Sequence, residues 1–320
     1  MTQKTNKSVL FITYDLSGYY DCIKDELNNY FSHVEYQNTA YLKYKYKNVV
    51  EKIYAFFYKL VTGLKLKNYY KLQTIIEATN NKTYDLIIMV RPDIFFDSQL
   101  LNLKGRTKNF VAYYHDSINN IPRKKKVFHF FDKVYSYEKM DVKKYNLHFL
   151  TNFIYLKATD MFANNTELDA FTIMSKDFRL KTIENLAIFM KSKDLKFQFL
   201  IQSDKKTQSD LLQFISKRLN NQQVLEFLKK TKIIVDIHKY GIQDGLTFRI
   251  FESLFFNKKI ITTNTDIKNY DFYNPNNIYV IENSDAIDIP ENFFKTPYQP
   301  IPDSIYQKYN YTNWVQTIIS

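Results

Sequence analysis

The sequence predicts an α/β protein of two doubly wound domains facing a central cleft. Three observations carry this. Apolar runs of strand length alternate with helical patterns, which argues for parallel sheets covered on both faces. The alternation weakens over residues 156–166 and then starts again. The chain has 320 residues, more than the roughly 250 to 300 at which single cores stop growing. The expected domains are residues 1–156 and 157–320, with the last helix able to pack back on the first domain.

In order, residues 8–14 read as a strand, followed by Asp15-Leu16-Ser17-Gly18 and a helical pattern over 19–31. Residues 33–36 read as a second strand, and 41–80 as one or two helices rich in Lys, Tyr and Phe. Strands follow at 85–90, ending in Arg91-Pro92-Asp93, at 110–114, ending in His115-Asp116-Ser117, and at 133–137. A short helix around Asp141 and a strand at 148–153 complete the first series. The second series predicts strands at 168–174, 196–202, 233–237, 259–263 and 277–281. Its predicted helices are 177–191, 210–219, 224–229 and 246–256, and 302–319 carries a helical pattern with Trp314, Val315 and Ile318 on one side.

Aromatic residues at 17% and apolar residues at 45% exclude general disorder. Cys22 stands alone, which excludes an internal disulfide framework and leaves a small buried apolar residue. The apolar stretch at 9–12 is too short for a signal-peptide core and no stretch has the length of a membrane span, so a cytoplasmic protein is expected. Residues 1–150 hold 24 Lys+Arg against 14 Asp+Glu, and residues 151–320 hold 21 against 19. Of the net +12, therefore, +10 lies in the first half, which suggests an anionic partner there.

Ligands of open parallel sheets bind beyond the carboxyl ends of the strands, so polar residues at those ends are the site candidates. In the first domain these are Asp15, Ser17, Gly18, Arg91, Asp93, His115, Asp116 and Ser117; in the second they are Gln202, Ser203, Asp236, His238, Thr263 and Asn264 with the loop between 237 and 246. Two of only five glycines, Gly241 and Gly245, sit in that loop, which calls for positive φ or a close approach to the backbone. A helix starting there offers unpaired N–H groups and a dipole to an anion such as a diphosphate. Arg249 and Glu252 share one face of the helix. They read either as a solvated i,i+3 ion pair or, because the helix is otherwise apolar, as groups for phosphate and for ribose hydroxyls. Asp116 reads either as a turn cap or, with His115 beside it and Asp15 and His238 next in line, as a base that takes a proton from an acceptor hydroxyl. Residues 41–72 hold eight lysines and one glutamate among Tyr, Phe and Leu. From Lys43 to Lys71 this is a solvated face over an aromatic core, or a helix lying on an anionic membrane surface. No Walker loop, G-x-G-x-x-G, zinc motif or Asp-x-Asp is present, so no metal and no cofactor are expected.

Asp236, then GLTFRIFESLFFNKKIITTN over 245–264, then Asp266, Ile267, Tyr270, Asp271, Phe272 and Tyr273 resemble the donor-site segment of a known group. That group is the bacterial GT-B glycosyltransferases of capsule, lipopolysaccharide and exopolysaccharide biosynthesis. AYYHDSINNIPR and FDKVYSYEKMDVKKYNLHFL resemble further segments of it, and together the matches span about a third of the chain. The resemblance implies two Rossmann-like domains, a nucleotide diphosphate sugar on the second and a glycan or lipid-linked acceptor on the first. It implies that Gly245, Thr247 and Arg249 face the diphosphate, Glu252 the ribose, and Thr263 and Asn264 the nearby wall. On this reading replacing Glu252 with Ala abolishes transfer and leaves the fold intact. Two departures stand out: 156–179 has Ser175, Asp177 and Arg179 where a glycine-bearing phosphate loop is expected, and His115 takes the place of an aromatic residue. The rival readings are a sugar-nucleotide epimerase of the same shape and a non-catalytic basic module for anionic lipid or nucleic acid. Nucleic acid is not expected as a partner, since no RNA-binding motif is present.

Overall fold

The computed structural model describes residues 5–161, 166–205 and 207–320. Residues 162–165 of the stretch where the sequence pattern weakens lie outside the described residues. The chain forms two compact units, one of Met1–Leu150 with Val315–Ser320 and one of Thr151–Trp314.

The first unit contains β1 (Thr5–Thr13), α1 (Asp21–Leu27), β2 (Phe31–Asn38), α2 (Val49–Thr62) and α3 (Leu66–Ala78). It continues through β3 (Tyr84–Val90), α4 (Asp97–Lys104), β4 (Thr107–Tyr114), β5 (Lys133–Ser136), α5 (Lys139–Tyr145) and β6 (His148–Phe149). The six strands form one parallel sheet in the order β2-β1-β3-β4-β5-β6. Val9, Leu10, Phe11 and Ile12 are wholly buried, as an unbroken apolar run in a sheet covered on both faces must be. One core gathers Leu10, Ile12, Ile87 and Met89 from the sheet with Leu72, Ile75, Leu100 and Leu103 from α3 and α4. The strand order reverses between β1 and β3, which makes the ends of those two strands the topological switch point.

The second unit contains β7 (Leu168–Ser175), α6 (Leu180–Ser192), β8 (Phe197–Gln202), β9 (Gln213–Ile215), α7 (Asn221–Lys230) and β10 (Thr231–Asp236). Then come α8 (Phe248–Phe256), β11 (Lys259–Thr262), β12 (Ile278–Val280), α9 (Glu291–Lys295), α10 (Asp303–Lys308) and the start of α11 (Tyr311–Ile319), whose residues from Val315 onward belong to the first unit. The sheet is parallel with the order β12-β11-β10-β7-β8-β9, the 3-2-1-4-5-6 arrangement of nucleotide-binding sheets. Its switch point lies between β7 and β10.

Several expectations are corrected. The helix expected over 210–219 is the strand β9, because the Ser209 hydroxyl caps the N–H groups of Leu211 and Leu212 and Gln213–Ile215 then pairs with β8. The expectation of one or two helices over 41–80 holds, with two helices that part at Gly63, a left-handed C-cap with φ +71°. Helix α4, absent from the sequence reading, starts where the Gln99 side chain accepts the Phe96 N–H. The pattern over 302–319 is broken because Tyr309 and Tyr311 give a carbonyl and an N–H to Ile154 instead of to the helix ladder. The division of the chain falls at 150/151, six residues before the expected boundary, because Asn152, Phe153 and Tyr155 pack on α8 and its loop.

Lys258 is buried between α7 and β10, where its ammonium donates to the carbonyls of Lys229 and Thr231. Burial pushes its pKa down to about 8. A lowered folded pKa means that stability rises with pH, by up to about 1.4 kcal/mol per unit between pH 8 and 10, because only the unfolded chain keeps that proton. Denaturant titrations across this window should show a shallower slope in Lys258→Met than in the natural protein; identical slopes would refute the shift.

Candidate active site

The second sheet ends in a loop system built on one carboxylate. Asp236, the buried last residue of β10, accepts the Thr247 hydroxyl at 2.9 Å and the Thr262 hydroxyl at 3.3 Å. It thereby ties the strand end to the N-cap of α8, which is Thr247, and to the end of β11. His238 is held twice: its backbone N–H donates to Thr263 Oγ1 at 2.7 Å, and its ring Nε2 donates to the Gln243 carbonyl at 2.5 Å. Its buried Nδ1 has no hydrogen-bond partner among the described residues. Asn264 donates to the Asp244 carbonyl at 3.2 Å and caps the turn at Asp266. Gly241 has φ +75° with open space around it, and Gly245 is buried just before the cap. His238, Gly241, Gly245 and Thr247 thus lie on one loop, bonded to Thr263 and Asn264 after β11, which delivers the N-terminus of α8 to the carboxyl end of the sheet.

Every residue of α8 except Arg249 is buried, which settles the helix as a core element and not a solvated one. Glu252 has no exposed surface. Its Oε2 receives the Arg249 guanidinium and its Oε1 receives the Tyr155 hydroxyl at 2.6 Å. A ribose hydroxyl that bonded Glu252 would therefore have to take the place of Tyr155. Glu252→Ala would leave Arg249 and Tyr155 without this acceptor, which lowers stability by about 3 to 5 kcal/mol where both partners of the pair are buried and by less here, since Arg249 is partly exposed. Across the switch point, Arg179 grips Asp177 with two hydrogen bonds of 2.9 and 2.7 Å and donates to the Ile237 carbonyl at 2.6 Å. The glycine-free segment after β7 is thus locked to the end of β10 by a side chain.

In the first unit Asp15 is an anchor for its loop. One oxygen accepts the N–H groups of Ser17 and Gly18 at 2.8 and 2.9 Å, and the other that of Tyr20 at 2.9 Å. With both oxygens committed to the backbone, Asp15 is unsuited to the base role expected for it. The Tyr20 hydroxyl and His115 Nδ1 lie 2.8 Å apart, and burial raises the Tyr20 pKa well above 10, so the phenol stays protonated and can donate. His115 is a weak base: burial pushes its pKa down to about 4, against the opposing pull of Asp116. Asp116 is half-buried and accepts the Asn120 amide at 3.2 Å. Behind it the wholly buried Lys124 donates to the Asp116 carbonyl at 2.6 Å and lies over the Tyr114 ring. Burial pushes the Lys124 pKa down to about 8. Arg91 adopts a left-handed backbone, φ +63°, unusual for a bulky residue, and pairs with Asp93 through two hydrogen bonds. Tyr20, Lys124 and Tyr155 bond to candidate residues and were not singled out from the sequence. Among the described residues no group of three His, Cys, Asp or Glu is placed to hold a metal ion.

No protein-family model matches the sequence, and no curated protein matches it. Solved structures do. Anabaena HepE in complex with UDP and glucose is similar at 10% identity over 98% of each chain, with a TM-score of 0.52. The fold is GT-B-like. A UDP-N-acetylglucosamine 2-epimerase from Rickettsia bellii gives a TM-score of 0.50 at 9% identity, covering 98% of this chain and 96% of its own. A glycosyltransferase from Rickettsia africae gives 0.48 at 12% identity, covering 99% and 89%. At such identities the likeness is one of fold.

Because its folded pKa lies below the ordinary 6.5, His115 contributes stability that is present above pH 6.5 and is lost as pH falls toward 4. NMR of the imidazole should show a neutral ring down to about pH 5, and His115→Phe should flatten this part of the acid-stability curve. A ring titrating near 6.5 would overturn the assignment.

Proposed function

We propose that this protein is a glycosyltransferase that takes its sugar from a nucleoside diphosphate sugar and passes it to a glycan or lipid-linked glycan of the bacterial cell surface. The observation that carries the reading is the Asp236-anchored glycine loop, which sets a Thr-capped helix N-terminus beside the switch point of a 3-2-1-4-5-6 sheet. In this reading the diphosphate lies on the first N–H groups of α8, with Arg249 supplying positive charge and Glu252 the ribose contact once Tyr155 gives way. UDP is the first nucleotide to test, given the likeness to HepE. The first unit receives the acceptor. Asp116 takes the proton of the acceptor hydroxyl as its oxygen attacks the anomeric carbon, and the bond from that carbon to the diphosphate breaks. His115 and Tyr20 position the acceptor side, and Asp15 shapes the loop beside it. No metal ion is assigned to the step. The site of action is the cytoplasm, at the inner face of the membrane where lipid-linked acceptors are built.

A second reading, epimerisation of the nucleotide sugar itself, is favoured by the likeness to the Rickettsia bellii enzyme. Incubation of a nucleotide sugar without acceptor separates the two, because only an epimerase changes it.

A thermal-shift panel of UDP, GDP, dTDP and CMP should single out one nucleotide, which at 100 times its dissociation constant adds about 2.7 kcal/mol to stability. Asp116→Asn should keep that shift while lowering turnover about 10²- to 10⁴-fold, with or without a chelator of divalent ions. No shift with any nucleotide would remove the donor site, and full turnover in Asp116→Asn would remove the base.

A further inference from the structure

Helix α2 is built inside out. At 100° per residue, Val50, Ile53, Phe56, Phe57, Leu60 and Val61 occupy one arc of about 140°. All six are between 52% and 84% exposed. The opposite arc carries Glu51, Ala55 and Tyr58 and meets the domain: Ala55 is buried, and Tyr58 packs with Phe96 at a ring distance of 6.4 Å. A surface helix of a globular domain ordinarily buries its apolar stripe and shows its polar one. Here Phe and Leu face outward, making a contiguous apolar surface of the kind that marks an interaction site.

The charges around this face say what covers it. Lys52 and Lys59 follow one border of the apolar arc and are exposed, as are Lys43, Lys45 and Lys47 before the helix and Lys65 and Lys67 after it. The only acid in residues 41–72, Glu51, is engaged by the Tyr44 hydroxyl and the Lys47 N–H, both at 2.5 Å. Pairing with α2 of a second copy would bring two such lysine borders together, which like-charge repulsion opposes. A surface that is apolar within and anionic at its boundary satisfies both features at once. The helix has 14 residues, about 21 Å at 1.5 Å per residue, which is too short to cross a bilayer. Among the described residues no helix is long and apolar enough to do so.

We propose that α2 docks the first unit onto an anionic lipid bilayer, lying in the interface plane with Phe56, Phe57 and Leu60 among the acyl chains and its flanking lysines on the headgroups. The proposal rests on this outward face alone and not on the reaction assigned to the strand ends, so either can fail without the other.

The test uses the full chain with vesicles of phosphatidylcholine alone and of phosphatidylcholine mixed with phosphatidylglycerol. Co-sedimentation should be about tenfold or more stronger on the anionic vesicles and should weaken with salt. Phe56→Ser/Leu60→Ser and, separately, Lys52→Gln/Lys59→Gln should each lower binding about tenfold or more, with unchanged melting temperatures because all four positions are exposed. In Phe57→Trp the indole emission should shift to the blue on adding anionic vesicles. The proposal is overturned by undetectable binding of the natural protein, by unchanged binding in both double variants, or by a natural dimer that Phe56→Ser/Leu60→Ser turns into a monomer.

Discussion

The second unit depends on what Asp236 holds. A strand, a helix and the next strand meet at one buried carboxylate through the Thr247 and Thr262 hydroxyls. Hydrogen bonds to a charged acceptor are worth about 1.5 to 3 kcal/mol each, so this is a firm joint at the place where parallel sheets carry their ligands. The neighbouring bonds reinforce it. Thr263 and Gln243 fix His238 from two sides, and Arg179 spans the switch point to the Ile237 carbonyl. A loop so tied can present backbone N–H groups in a set direction, which is what binding an anion by backbone requires.

The first unit divides its acidic groups by exposure and by partner. Asp15 and Asp116 both follow apolar strands and look alike in sequence. Asp15 spends its oxygens on three backbone N–H groups, whereas Asp116 stays at the surface with its carbonyl, not its carboxylate, gripped by Lys124. The buried lysine thus holds the Asp116 backbone, while the Asn120 amide donates to the carboxylate. Holding a cationic amine away from water is costly, and the fold bears that cost directly behind a candidate base.

Much of this was legible in the sequence because the signals were local. The run at 233–237, the glycines at 241 and 245 and the apolar helix after them are features of neighbouring residues, and each stands where it was expected. What escaped depended on partners distant in the chain. Residues 210–219 have no strand signature of their own; Gln213–Ile215 is a strand because β8 offers it an edge. Tyr155 and Glu252 are 97 positions apart, and nothing in either segment announces the hydrogen bond between them. The basic, aromatic stretch at 41–72 read equally well as a lysine face over a core or as a lipid-facing helix. Burial shows Ala55 inside and Phe56, Phe57 and Leu60 outside, so α2 does not turn its apolar residues into the core.

The path of the chain has a further consequence. Because Val315–Ser320 belongs with Met1–Leu150, the backbone passes from one unit to the other twice, once at 150/151 and once within α11. A single cut at 150/151 therefore does not liberate an intact first unit. It strips Tyr135 of the Thr317 carbonyl and Tyr30 of the Gln316 amide, and it uncovers the sheet where Ile318 is buried. The compact unit is residues 1–150 together with 315–320, so the two halves of this protein are inseparable by simple truncation.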